Sequence, residues 1–105
     1  MDTKAKYDVS ITVIRIVNHL DLSKIYENEI EHTCSYHEGD VFYSIKGKKP
    51  ANFCPEAWKS LRPFVVKLAC GESNFFDGWM KNPFQAMISC NDGFRPVSFL
   101  IERIN

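Results

Sequence analysis

The chain has 105 residues with 13 basic and 13 acidic side chains, so its formal net charge at pH 7 is zero. A balanced charge argues against nucleic-acid binding, which usually depends on a basic excess gathered on one face. The length fits a single domain over residues 1–105, and a hydrophobic content of 45% is ordinary for a globular protein.

The sequence also indicates where the protein works. No apolar run approaches the roughly 18 residues needed to span a bilayer, and the charged N-terminal residues do not have the form of a secretory signal. We therefore expect a cytoplasmic protein that is not embedded in a membrane. The sequence does not decide whether its partner is another protein or a second copy of the chain in a homo-oligomer.

The first predicted element is a strand over residues 8–17, which is rich in β-branched residues and partly alternates in polarity. Ile14 and Ile16 interrupt the polar positions, so both faces are expected to be covered near the end of the strand. Residues 18–32 fit either a short helix that begins near Asp21 or Ser23 or an irregular loop.

A helix is predicted to begin after Cys54. Pro55 suits the first helical position because it has no amide hydrogen to leave unpaired. The residues of a predicted buried stripe at helical spacing are Trp58, Leu61, Val65 and Leu68. Pro63 falls inside this pattern, so we expect it to kink or split the helix, and Gly71 is the predicted C-cap.

Three further strands complete the prediction. One covers residues 41–45, and two more, over residues 84–90 and 97–102, flank the turn residues Asn91-Asp92-Gly93 and should form a hairpin. The order of elements is therefore β-β-α-β-β. It predicts an α+β fold, in which a small, mainly antiparallel, four-stranded sheet carries one Pro-kinked helix on one face.

The cysteines are the most informative candidates for a site. Cys34 and His37 form a C-x-x-H pair before a turn, Cys54 lies at the predicted helix start and Cys90 ends the third strand. Structural zinc sites commonly use three cysteines and one histidine, so these four residues predict a site for zinc or iron. Their wide spacing is also compatible with core packing, especially for Cys90 and for Cys70.

A second interpretation is a thiol-based redox or nucleophilic enzyme centred on Cys54. The partial positive charge of a helix N-terminus favours a thiolate there. His37 could serve as its base only if the fold brings the two side chains together. Asp40 and Asp92 each lie beside a turn glycine, so we interpret them as turn residues and not as a catalytic pair.

A third interpretation is a plain protein-interaction module whose cysteines are all core residues. Its distinguishing feature would be an exposed aromatic patch formed by Phe75, Phe76 and Trp79. The sequence alone leaves these three interpretations open.

Short motifs follow one another in a specific order along most of the chain. They are Gly39-Asp40-x-Phe42, Cys54-Pro55-x-Ala57, Leu61-x-Pro63, Leu68, Gly71, Cys90-x-Asp92 and Pro96-Val97-x-Phe99. This order resembles a family of small conserved-hypothetical prokaryotic proteins, common in anaerobes, with no assigned activity. The resemblance implies that Cys54, Cys90 and an upstream cysteine corresponding to Cys34 are shared motif positions. The chain departs from it at Asn91, where members often have proline.

Overall fold

The computed structural model describes residues 4–29 and 35–105. In chain order the described elements are β1 Val9–Ile16, α1 Leu20–Tyr26, β2 Val41–Ser44, α2 Pro55–Ala69, β3 Gln85–Ser89 and β4 Val97–Arg103. The strands form one antiparallel sheet in the order β2-β1-β4-β3. The predicted α+β class and four-stranded sheet are confirmed, and the structure adds a second, shorter helix.

The core lies between α2 and one face of the sheet. Helix α2 directs Leu61, Val65 and Leu68 at the sheet, and all three are buried, as the helical spacing predicts. The facing strand residues include Ile11 of β1 and Phe99 of β4, both without solvent exposure. Full burial of such a side chain contributes about 1.5–3 kcal/mol, so this layer carries most of the hydrophobic stabilisation.

Helix α2 runs without a break through Pro63, so of the two predicted outcomes, a kink or a split, the split does not occur. Pro63 and Lys59, whose carbonyl would have accepted a hydrogen from position 63, both lie on the exposed side, where that carbonyl can bind water. The helix ends in a Schellman motif in which Cys70 is the C-cap residue and Gly71, the predicted C-cap, is the next residue. The amide of Gly71 donates to the carbonyl of Leu68, and the amide of Glu72 donates to the carbonyl of Lys67.

Strand β1 contains an irregularity that explains its broken polarity pattern. Its register with β4 shifts between Val13 and Arg15, so Ile14 is an extra residue in the ladder. Beyond the bulge, Ile16 returns to the core face, whereas Ile14 is 41% exposed. The expectation that both faces would be covered at this end of the strand is therefore wrong at Ile14.

Helix α1 resolves the ambiguity of residues 18–29 in favour of a short helix. Its N-cap is His19, one turn earlier than the predicted Ser23 and two residues before Asp21. None of its residues is buried. Neither α1 nor α2 has the length and continuous apolar surface of a bilayer-spanning helix.

Candidate functional site

Two of the candidate cysteines, far apart in the sequence, lie in the wall of one cleft. The cleft has a volume of about 370 Å³ and lies between the N-terminus of α2 and the end of β3. Its described lining residues are Tyr36, Cys54, Glu56, Ala57, Lys59, Cys90, Asn91 and Asp92. The antiparallel topology produces this arrangement, because the β3–β4 hairpin presents its turn next to the start of the helix that precedes it.

Cys54 is the N-cap residue of α2. Its backbone is extended, and its carbonyl accepts the first helical hydrogen bond, from the amide of Trp58 at 2.9 Å. Its own amide donates to the hydroxyl of Tyr36 at 2.8 Å. The side chain of Cys54 therefore leaves the backbone where the N–H groups of the first turn point out of the helix, and it reaches the cleft from there.

The ring of Tyr36 is fixed by aromatic neighbours on three sides. Its centroid lies 5.6 Å from those of Phe42 and Phe53 and 5.4 Å from that of Phe99, mostly in edge-to-face geometry. Such contacts are favourable beyond simple burial. The hydroxyl of Tyr36 is thus a positioned group, and it holds the segment before β2 against the helix start.

Cys90 follows the last residue of β3 and closes the base of the hairpin loop. Its amide donates to the carbonyl of Val97 at 3.2 Å, and the amide of Val97 donates to the Cys90 Sγ at 3.3 Å. The sulfur is consequently fixed by the backbone of the opposite strand. Both Cys54 and Cys90 are half-buried.

Asp92 stabilises the loop that follows Cys90. Its Oδ1 accepts hydrogen bonds from the amides of Phe94 at 2.8 Å and Arg95 at 3.0 Å. Asp40 has a comparable role in another turn, where its Oδ2 accepts from the amide of His37 at 2.8 Å. The interpretation of both aspartates as turn residues is confirmed.

The predicted metal ligands divide into three groups. Cys54 and Cys90 share the cleft. His37 lies in the turn before β2 with its side chain 84% exposed, and it does not line the cleft. Cys34 lies outside the described residues. Within residues 4–29 and 35–105, no three side chains of the His, Cys, Asp and Glu types are grouped as a metal site requires, so the set Cys34, His37, Cys54 and Cys90 stays a prediction.

Cys70 lies away from this cleft. It is the C-cap residue of α2, at the opposite end of the helix from Cys54, and it is half-buried. This position agrees with its interpretation as a structural residue, and it makes Cys70 a natural reference thiol.

The predicted aromatic patch is only partly exposed. Phe75 is buried, and its ring lies 5.5 Å from that of Phe64, so its inclusion in the patch is wrong. Phe76 and Trp79 are 70% and 45% exposed, with their ring centroids 5.3 Å apart. The ring of Phe76 also approaches that of Phe64, at 6.0 Å, but Phe76 stays largely exposed.

Sequence reasoning did not identify Tyr36 or Lys59 as cleft residues. Lys59 forms an exposed ion pair with Glu56 at 3.1 Å on the rim, a geometry that contributes little to stability. Lys59 and Glu56 lie in the first two turns of α2, so helical spacing could have placed both of them near Cys54. Tyr36 carries no such signal, because its position depends on tertiary packing of its ring against phenylalanines distant in the sequence, such as Phe53 and Phe99.

No protein-family model, curated protein or solved structure matches this chain. The resemblance to the conserved-hypothetical prokaryotic family therefore stays a prediction that depends on the quoted motifs.

Proposed function

We propose that the chain is an accessory metal-binding domain of the cytoplasm and that its cleft holds zinc or iron through Cys54 and Cys90. One observation carries the proposal: two thiols that are distant in the sequence line the same cleft at a helix N-terminus. Thiolate sulfur is the ligand type that selects zinc and iron over magnesium and calcium. A reducing cytoplasm keeps such thiols available for a metal.

The remaining ligands are proposed from the sequence. Cys34 is the first candidate, because it completes three cysteines and matches a motif position of the resembling family. His37 is the fourth member of the proposed set, and it would have to move from its exposed position to reach the cleft. Metal coordination would connect the helix start, the hairpin loop and the segment before β2, and would add stability by binding only the folded chain.

The test is the metal content of the protein purified without added metal and after loading with zinc, iron or cobalt. We expect about one equivalent per chain, and with cobalt a sulfur-to-metal charge-transfer absorption that identifies thiolate ligands. Cys54→Ser and Cys90→Ser should each abolish that absorption and lower the metal content. Cys70→Ser is the matched control and should keep both.

Two outcomes would overturn the metal proposal. One is a protein that folds normally but binds none of the three metal ions, zinc, iron and cobalt. The other is equal metal loss in the Cys70→Ser and Cys54→Ser variants, because a thiol at the far end of α2 cannot be a ligand in this cleft.

A second candidate function is thiol chemistry at Cys54. It is favoured by the position of Cys54 as N-cap of a 15-residue helix beside an open cleft, since such positions lower the energy of a negatively charged sulfur. The described lining of the cleft contains no histidine that could act as its base, which is why we rank this function second. Site-resolved alkylation should then show Cys54 reacting well before Cys70, and equal rates would exclude it.

A further inference from the structure

Helix α1 is attached to the rest of the protein by polar contacts. It contributes no buried residue, and Leu20, Ile25 and Tyr26 are exposed. Hydrophobic burial therefore does not explain why the helix lies where it does. Its described contacts go to the loop between β3 and β4, where the amide of His19 donates to the carbonyl of Phe94 at 2.8 Å.

The strongest of these contacts is an ion pair. Arg95 Nη2 donates to Glu27 Oε2 at 2.6 Å, and Nη1 donates to Oε1 at 3.0 Å, so the guanidinium binds the carboxylate in a bidentate geometry. Arg95 Nη1 also approaches Ser23 Oγ at 3.4 Å. Ser23 lies in α1 and Glu27 is its C-cap residue, so both contacts of Arg95 are made to the C-terminal half of this helix. The Arg95 and Glu27 side chains are only 19% and 17% exposed, unlike those of an ordinary surface pair.

The ion pair is connected to the cleft through the backbone of the same loop. The amide of Arg95 donates to Asp92 Oδ1, which also accepts from Phe94. Asp92, Asn91 and Cys90 are consecutive and all line the cleft. Fixing Arg95 therefore fixes the loop that forms one wall of the cleft.

We propose that α1 is a brace for this wall and that Glu27 is the positioning residue through which it acts on Cys90. This inference deepens the proposed function, on which it rests for the role of Cys90. The side chain of Glu27 accepts hydrogen bonds from Arg95, which anchors the loop that carries Cys90. Removing its charge should loosen the 90–96 loop, and a partner that captured Glu27 or displaced α1 would change the access to Cys90.

The test is site-resolved alkylation of metal-free protein, kept in chelator, with mass spectrometry of each cysteine. Glu27→Gln should raise the labelling rate of Cys90 about threefold or more, the scale of a coupling passed through a hydrogen-bonded network. Cys70 is the internal reference and should not change. Glu29→Gln, which removes an exposed carboxylate two residues further on, is the matched control, and Glu27→Asp should return the Cys90 rate toward that of the wild type.

The outcomes separate the brace from the metal proposal. An unchanged Cys90 rate in Glu27→Gln overturns the brace even if the chain binds metal. A rise of equal size at Cys70 and Cys90 also overturns it, because it would report general loosening of the fold. If Cys90 responds as expected in a chain that takes up no metal, the proposed function fails and the brace stands.

Discussion

The hydroxyl of Tyr36 accepts a hydrogen bond from the amide of Cys54 at 2.8 Å. The bond joins a residue placed by aromatic packing to the N-cap residue of α2, and both line the cleft. The position of Cys54 thus depends on the ring of Tyr36, which packs against Phe42 of β2, Phe53 and Phe99 of β4.

Tyr36→Phe should lower the free energy of unfolding by about 1–3 kcal/mol, because it retains the ring contacts and leaves a partly buried amide without its acceptor. Urea unfolding followed by tryptophan fluorescence measures the change. Tyr43→Phe removes a hydroxyl from an exposed ring of β2 and should leave the unfolding midpoint unchanged. Equal midpoints for all three proteins would show that the Tyr36 hydroxyl contributes nothing.

The ion pair of α1 predicts a specific dependence of stability on pH. The hydrogen bonds from Arg95 to Glu27 hold the pKa of that carboxyl below its ordinary value of 4.5. The folded chain therefore protonates Glu27 only at a lower pH than the unfolded chain does. Its contribution to stability is fully present above the unfolded pKa and is lost as the pH falls through the folded one.

Glu27→Gln should accordingly be less stable than wild type at neutral pH and approach wild-type stability as the solution is acidified below about pH 4.5. The measurement is the difference in urea midpoint between the two proteins over a pH series. A difference that stays constant down to the acid-unfolding region would contradict the assignment of a lowered pKa to this carboxyl.

Gly71→Ala should destabilise the protein by about 1 kcal/mol, since Gly71 closes α2 with a φ of +97°, where a Cβ is disfavoured. An added Cβ there would meet Tyr7 at an ordinary contact distance of 3.7 Å, so the cost comes from the backbone. Gly93→Ala is the matched control, because that position has no such φ and open space around it. Similar losses of stability in the two variants would refute this explanation.

Much of the fold could be predicted from the sequence, because local pattern and tertiary packing agree for α2 and the strands. Pro55 at the helix start, Gly71 at its end and the Asn91-Asp92-Gly93 turn all act where their chemistry indicates. The bulge at Ile14 was not predicted, because it shows in the sequence only as a break in alternation. Pro63 lies on the exposed side of α2, as expected for a position two residues from both Leu61 and Val65 of the buried stripe. The continuity of the helix through Pro63 was not predicted, because the general rule for proline inside a helix takes no account of the face on which it lies.

The candidate site was less predictable. That Cys54 and Cys90 lie at element ends follows from sequence patterns, but their common cleft depends on where the hairpin packs against α2. The exposed position of His37 follows from a turn closed by Asp40. The pairing of Arg95 with Glu27 joins two residues that no local rule connects, and only the docking of α1 brings them together.

The sheet order has a kinetic consequence. Its central pair consists of β1 and β4, the first and the last of the four strands along the chain. Nearly the whole intervening polypeptide must be looped out before that pairing can form, which gives the domain a high contact order and predicts slow, cooperative folding. Until β4 has been synthesised, the edge of β1 that pairs with it has unpaired backbone N–H and C=O groups, and such an edge favours pairing with other chains.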